Sequence, residues 1–217
     1  MKKPICMIIS LLLSMCFLAS VFWSGIAFAT GTRTLGHGPV ENEIGFPLLL
    51  SADSGNQLWV LDALKSSMCI FSDTFVYVSS WSLPFPLPST IHFLDMQIRS
   101  DFCWVMVNDF IYQLSRDGKL MKELNLKTLA GIHTKTIQQF AVVSDSVFVF
   151  VDSLTNEALL LDTAQPDQMA VPVMENNLLL LVKDVQSYQN LFYFLCQDSL
   201  NSFETSYSLY QYNSQGF

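Results

Sequence analysis

The sequence lacks the motifs that mark the common hydrolases, metalloproteases and nucleotide-binding proteins. It contains no Gly-x-Ser-x-Gly, no His-Glu-x-x-His and no glycine-rich loop that could cradle a phosphate. Its five cysteines include no Cys-x-x-Cys pair, which excludes a zinc ribbon and a thioredoxin-type redox site. No cofactor and no metal site is predicted.

Cysteine is also unpaired by number in the part of the chain that follows residue 29, where Cys69, Cys103 and Cys196 remain. Each lies in an apolar run of strand-like composition, where a free thiol behaves as a small hydrophobic side chain. The sequence favours three buried free thiols, and one disulfide between two of them is the alternative.

Basic residues are few. The 217-residue chain has 11 Lys and Arg against 19 Asp and Glu, which gives a formal net charge of −8. An acidic surface repels phosphate backbones, so nucleic acid is excluded as a partner. The same repulsion opposes docking on an anionic membrane face, and the partner we expect is a protein or a small ligand.

Charge is almost absent from the first 29 residues. Two lysines near the start are followed by an uncharged run of 26 residues that ends at Ala29, and "AFA" at 27–29 has the small residues of a signal-peptide cleavage site. This layout predicts a cleaved signal peptide over 1–29 and a secreted or periplasmic domain over 30–217. The run is also long enough to cross a bilayer, so the alternative is an uncleaved membrane anchor with the domain outside the cytoplasm.

Sustained helical periodicity is missing, and short aromatic-rich apolar runs recur in its place. The aromatic residues near the heads of four such runs are spaced by 45, 44 and 44 residues. A four-stranded antiparallel unit repeated every 40–50 residues or so is typical of a β-propeller blade. The runs are NQLWVLD (56–62), DFCWVMVND (101–109), DSVFVFVD (145–152) and QNLFYFLCQD (189–198), aligned on Trp59, Trp104, Phe148 and Phe192.

The sequence therefore predicts an all-β, propeller-like array of about four antiparallel blades, each with strands a to d. The most helix-like stretch, which begins at 118, is assigned to strand d because it follows a turn glycine at the expected phase. A β-sandwich is the structural alternative, but it would not explain the even step. The predicted blades span about 46–84, 90–127, 136–174 and 180–217, and the last blade lacks strand d.

The segment 38–73 resembles an NHL-type repeat, the unit of a family of six-bladed propellers. Such repeats have a Gly-Pro and acidic lead, a proline before strand a, an Asp-x-x-Gly-Asn turn, a strand that ends in Val-x-Asp, and a strand of the "hIhVF" kind. The resemblance covers this one blade and implies the propeller fold, without an activity or a site. The matching positions are Pro47, Asp53, Gly55, Asn56, Val60, Asp62, Ile70 and Phe71.

The number of blades allows two interpretations. The resemblance implies six blades, whereas four are visible, so the chain is interpreted as a truncated six-bladed propeller. The alternative is a closed four-bladed ring in which "GTRTLG" at 31–36 supplies the missing strand d, because an open blade exposes a sheet edge.

An aspartate recurs after strand b of each predicted blade. We expect these carboxylates to accept backbone N–H groups in the b–c turn, as short polar side chains commonly do. A ring of carboxylates around a cation is the functional alternative. The residues are Asp62, Asp109, Asp152 and Asp198.

Histidine is scarce, and His92 and His133 are the weak catalytic candidates. Each stands at or just before a predicted strand a, so the two could share a rim. Propeller lyases and hydrolases place histidine and acidic residues on such a rim. The plainer interpretation is a pair of polar surface residues.

The loop "SSWSLPFPLPS" at 79–89 combines prolines with aromatic residues. It either folds over the side of a blade or forms an exposed apolar contact surface. Taken together, the sequence predicts an exported, non-enzymatic propeller that presents a surface to a protein or ligand. The alternatives are an exported propeller lyase or hydrolase with rim histidines and an inactive truncated remnant.

Overall fold

The computed structural model describes residues 44–99, 102–165, 169–175, 178–179, 182–188, 191–200 and 204–213. Within these ranges the chain forms 17 β-strands and one short 3-10 helix, Leu126–Thr128. The predicted signal peptide and the 31–36 segment lie outside the described residues. No helix of the described part is long and apolar enough to cross a membrane.

Three sheets have four antiparallel strands in chain order, as predicted for blades 1 to 3. The strands are short and rich in β-branched and aromatic residues, and turns separate them. Blade 1 contains β1 (Pro47–Ala52), β2 (Leu58–Asp62), β3 (Ser67–Phe71) and β4 (Tyr77–Ser82); blade 2 contains β5 (Leu94–Ile98), β6 (Phe102–Val107), β7 (Phe110–Ser115) and β8 (Leu120–Asn125); blade 3 contains β9 (Ile137–Val142), β10 (Val147–Asp152), β11 (Ala158–Asp162) and β12 (Val171–Pro172).

The fourth blade has three strands among the described residues. They are β15 (Val182–Tyr188), β16 (Leu191–Leu200) and β17 (Glu204–Asn213), and they correspond to the predicted strands a, b and c. Ahead of them, β13 (Met174–Glu175) and β14 (Leu178–Leu179) pair with each other. The prediction ran strand a of this blade back through Leu178–Leu179, and that part is wrong because the two leucines pair with β13 instead.

The core consists of three apolar layers, one between each pair of successive blades. In β6, Trp104 and Met106 face blade 3, whereas Cys103 and Val105 face blade 1. Side chains alternate between the two faces of a strand, so a strand covered on both faces must be apolar throughout. This confirms the interpretation of the continuous apolar runs as strands between stacked sheets.

The repeated aromatic residues occupy equivalent places. Trp59, Trp104, Phe148 and Phe192 stand at or near the head of the second strand of their blades, and each is at most 1% exposed. Between blades 2 and 3, the rings of Trp104 and Phe148 meet edge to face at 5.1 Å, a favourable geometry for aromatic pairs. The 44-residue step therefore reflects a structural repeat.

The three cysteines of this part are buried and free, as predicted. The loop at 79–89 folds over the side of the blades: Phe85 is buried, and its ring stacks on Tyr112 at 3.7 Å. The interpretation of this loop as an exposed apolar surface is therefore wrong.

The inner strands of successive blades pack on one another in order, β1 on β5, β5 on β9, and β9 on β15. Sheets that meet face to face while their first strands gather at a common centre define a β-propeller. The chain is a four-bladed β-propeller.

Candidate functional site

All blades point the same way, as contacts between neighbours show. The a–b and c–d turns lie at one end of each antiparallel blade, and the b–c turn lies at the other end. At the first end, Arg116 in the c–d turn of blade 2 forms an ion pair with Asp53 in the a–b turn of blade 1. Gln113 Nε2 of blade 2 donates to Asp145 Oδ1 in the a–b turn of blade 3 at 3.2 Å. The opposite end, here named the bc rim, consists of the b–c turns and the residues that precede each strand a.

Asp62 and Asp152 are the caps that the sequence predicted. Asp62 Oδ1 accepts the backbone N–H of Leu64 at 2.9 Å, and its Oδ2 accepts that of Gly45 at 2.6 Å. Burial opposes ionisation of Asp62, but four backbone N–H groups outweigh it and lower the pKa. Asp152 repeats the arrangement with the N–H of Leu154 at 3.3 Å. There too burial is outweighed by hydrogen bonds, so the pKa of Asp152 is lowered.

The cap prediction is wrong for Asp109. The b–c turn of blade 2 is only two residues long, and the preceding Asn108, at φ 53°, takes over the role. Asn108 Oδ1 accepts the backbone N–H of His92 at 2.8 Å. Asp109 instead forms an exposed ion pair with Lys127 at 3.2 Å, because the tighter turn leaves it outside.

Asp198 is also misplaced by the prediction. It lies inside β16, opposite Ser206, and not in the turn that follows. The β16–β17 hairpin is longer than its counterparts, because each of its strands has ten residues. Together these corrections remove a ring of four equivalent carboxylates, so the cation alternative loses its basis.

Leucine side chains stand out on the bc rim. Leu64 and Leu154 each follow a capping aspartate by two positions, and they are 66% and 79% exposed. In both turns the aspartate holds the leucine N–H, so the backbone is fixed and the side chain projects into solvent. The recurrence of Asp-x-Leu at these two turns was the sequence signal for this feature, and the sequence reasoning missed it.

His92 and His133 both lie on the bc rim and are exposed. His92 is placed by the hydrogen bond from its backbone N–H to Asn108, and His133 follows a turn in which its N–H bonds to Leu129 O at 3.0 Å. Neither imidazole forms a hydrogen bond or an ion pair within the described ranges. The structure therefore puts both on the predicted rim without joining their side chains.

A second polar cluster, here named the axis cluster, lies where the inner strands of blades 2, 3 and 4 meet. Asp95 and Arg99 of β5 bind the inner edge of β9. Asp95 Oδ2 accepts the N–H of Phe140 at 3.0 Å, and Arg99 donates to the carbonyl oxygens of Val142 and Val143 at 3.2 and 2.9 Å. These bonds satisfy backbone groups of a strand edge that has no further strand to pair with on that side.

The cluster continues to blade 4. Gln97 Nε2 donates to Gln186 Oε1 at 3.5 Å, and Gln186 Nε2 donates to Asp184 Oδ1 at 3.5 Å. Burial, with a smaller contribution from the charge of Asp184, raises the pKa of Asp95 to about 6, although N–H groups of Phe140 and Met96 oppose the rise. Burial also raises the pKa of Asp184.

The sequence reasoning did not single out the axis cluster. A signal was present, since polar residues alternate with apolar ones in "LDMQIRS" and again in "KDVQSY", and alternation places them on one face of a strand. Among the described residues, no three His, Cys, Asp or Glu side chains come together in a way that could hold a metal ion.

No protein-family model matches the chain, and neither does any curated protein. Several solved structures are similar in fold. A virginiamycin B lyase from Staphylococcus aureus has a TM-score of 0.43 and 12% identity, over 80% of this chain and 59% of that one. The Pan2 WD40 domain of Neurospora crassa has a TM-score of 0.41 and 10% identity, over 75% of this chain and 50% of that one.

PorZ of Porphyromonas gingivalis, a surface component of its type-IX secretion system, has a TM-score of 0.48 and 11% identity. That likeness covers 83% of this chain and 22% of PorZ. The chain thus spans less than two thirds of the length of each of these structures. The likenesses concern the fold alone.

Proposed function

We propose that the protein is an exported, non-enzymatic β-propeller that binds a protein partner on its bc rim. The observation that carries this proposal is the pair of exposed leucines, Leu64 and Leu154, held at equivalent turns by the same aspartate hydrogen bond. An isolated exposed leucine is ordinary. The same residue projected from the same turn of two blades supports a surface whose apolar points are covered in a complex.

The energetics of such a contact suit a protein partner. Covering one exposed leucine side chain contributes roughly 1.5–3 kcal/mol, so two leucines supply a useful part of the free energy of binding. Anchors that lie on different blades require a partner that spans the rim, which favours a protein over a small ligand.

The rim proposal is tested by co-purification from the extracellular fraction of the source cells. We expect the wild-type chain to retain a specific protein, and the double variant Leu64→Ser/Leu154→Ser to retain roughly tenfold less or weaker, since about 1.4 kcal/mol is a factor of ten. The matched control is Val78→Ser/Met121→Ser, which changes two exposed apolar residues away from the bc rim and should retain the partner fully.

Equal retention by the two double variants would count against the rim, and the absence of any protein retained by the wild-type chain would count against a partner. Thermal unfolding of all three proteins is measured in parallel. A loss of binding by a variant with an unchanged midpoint then reports on the surface and not on folding.

We also infer that the export signal at 1–29 is real and cleaved. The uncharged run and its Ala-x-Ala end support it. Amino-terminal sequencing of the protein recovered from the extracellular or periplasmic fraction should begin at Thr30. Recovery from the membrane fraction with the first 29 residues still attached would favour the anchored alternative.

We assign blade 1 to the NHL type on the same footing. Its turn supports the assignment, because Asp53 Oδ1 accepts the N–H groups of Gly55 and Gln57, both at 2.9 Å, and Asn56 has φ 59°. If Asp53 and Asn56 hold this turn as the repeat requires, Asp53→Ala should destabilise blade 1 whereas Ser54→Ala should not, by urea unfolding.

A lyase or hydrolase with His92 and His133 on the rim is the second candidate function. Its support is that both imidazoles are exposed on one rim of the propeller. Any hydrolytic or eliminating activity found in the purified protein should vanish in His92→Ala/His133→Ala. Full retention of that activity would remove this candidate and leave the binding function.

A further inference from the structure

The axis cluster joins three blades by side chains, since the inner strands do not pair with one another across the axis in the described part. Asp95 of blade 2 holds Phe140 of blade 3, and Gln97 of blade 2 reaches Gln186 of blade 4. Gln186 in turn holds Asp184. The two aspartates are therefore the ends of one short polar chain, and any force between them acts between blades 2 and 4.

No cation offsets these two carboxylates. Neither forms an ion pair with a described residue, and β1 and β9, which pack on β5, contain no ionisable side chain. Next to Asp95 on the blade 2 side, β6 contributes only Cys103, whose thiol has a pKa raised by burial. Lys183 of β15 is exposed. Arg99 shares β5 with Asp95, and its nearest carboxylate is Asp145, with its guanidinium donating to carbonyl oxygens of blade 3.

We propose that the axis cluster is a proton-responsive joint. When one proton resides on the Asp95–Asp184 pair, blades 2 and 4 close against each other, and when both carboxylates are charged, their repulsion loosens the joint. Gln186 is exposed, so protons from solvent reach the cluster without unfolding of a blade.

The direction of the response follows from linkage. Both aspartates have pKa values raised in the folded chain, Asp95 from 3.8 to about 6. The folded protein therefore binds more protons than the unfolded chain between these pH values. The stability associated with the joint is fully present below pH 3.8, declines as the pH rises to about 6, and stays low above it.

Hydrogen exchange of the full chain, read by mass spectrometry at pH 5.0 and pH 7.5 and corrected for the intrinsic rates, tests the joint. Peptides that contain β5 and β15 should exchange about tenfold faster at pH 7.5, since one pKa unit is a factor of ten. Peptides from β2 and β3 of blade 1 should show no such change. In Asp95→Asn the β5 and β15 peptides should exchange slowly at both pH values. Asp73→Asn, which alters an exposed aspartate in a turn of blade 1, should behave as the wild type.

Two outcomes would overturn the proposal. One is equal exchange of the wild-type β5 and β15 peptides at both pH values, and the other is a wild-type pH dependence in Asp95→Asn. Should Asp95→Asn fail to fold because its bond to Phe140 is essential, Asp184→Asn supplies the same comparison. A pH dependence that persists in Asp184→Asn then overturns the proposal, and its disappearance supports it.

Discussion

At the scale of single residues, the balance between burial and hydrogen bonding sets the behaviour of the aspartates. Asp62 and Asp95 are both withdrawn from water, which disfavours the charged form. Asp62 receives enough backbone N–H groups to overcome that cost, and its pKa is lowered. Asp95 receives two N–H groups and lies near another carboxylate, and its pKa is raised to about 6. The same side chain is thus a fixed cap at the rim and a titrating group at the axis.

The cap at Asp62 predicts a measurable loss of stability. Asp62→Asn keeps the shape but removes the charge and one acceptor, so buried N–H groups lose their partner. We expect a loss of about 1–3 kcal/mol in the free energy of unfolding at pH 7. Urea unfolding measures it, with Asp73→Asn as the control. Because the pKa of Asp62 is lowered in the folded chain, its contribution is present above pH 3.8 and is lost as the pH falls further. A variant as stable as the control would show that the cap is dispensable.

At the scale of elements, the c–d turn of blade 2 connects two blades. Gly118 adopts φ +83°, and Trp81 of blade 1 packs directly on it. This turn places Arg116 on Asp53, and the guanidinium also lies over the ring of Trp59 at 5.4 Å. A tight turn, a close approach and an ion pair therefore depend on one backbone conformation.

Gly118→Ala tests that dependence. A Cβ at this position would stand 2.5 Å from Trp81 Cδ2, and the positive φ is strained for alanine. We expect the variant to lose about 1–3 kcal/mol, in the range of overpacking and backbone strain. Lys119→Ala, an exposed change in the same turn, should stay within about 0.5 kcal/mol of the wild type. Equal stability of both variants in chemical unfolding would contradict the packing described here.

At the scale of the whole molecule, stability resides between the blades. The largest buried side chains belong to the layers that successive blades share. A single four-stranded blade would leave both apolar faces in water, so blades of this kind stabilise one another as repeat units do.

Trp104→Ala should therefore destabilise blades 2 and 3 together. The indole fills the layer next to Phe148, and its removal should cost about 3–5 kcal/mol through lost burial and the remaining cavity. Tyr207→Ala, which truncates an exposed aromatic residue, should cost less than about 0.5 kcal/mol. Unfolding followed by far-UV and near-UV circular dichroism provides the measurement. A small effect of Trp104→Ala would mean that the blades fold independently.

The strands, their order and their 44-residue step could be predicted from the sequence alone, because alternation, aromatic heads and turn residues such as Gly118 are local properties. The b–c caps were predicted in part: Asp62 and Asp152 behave as expected, whereas Asn108 replaces Asp109 because turn length depends on how two strands pair. The axis cluster was decided by tertiary structure. Gln97 and Gln186 are 89 residues apart in sequence, and neither resembles a site in its own strand. They meet because the stacking of the apolar layers brings the inner strands to one centre, where polar side chains of different blades become one another's only partners.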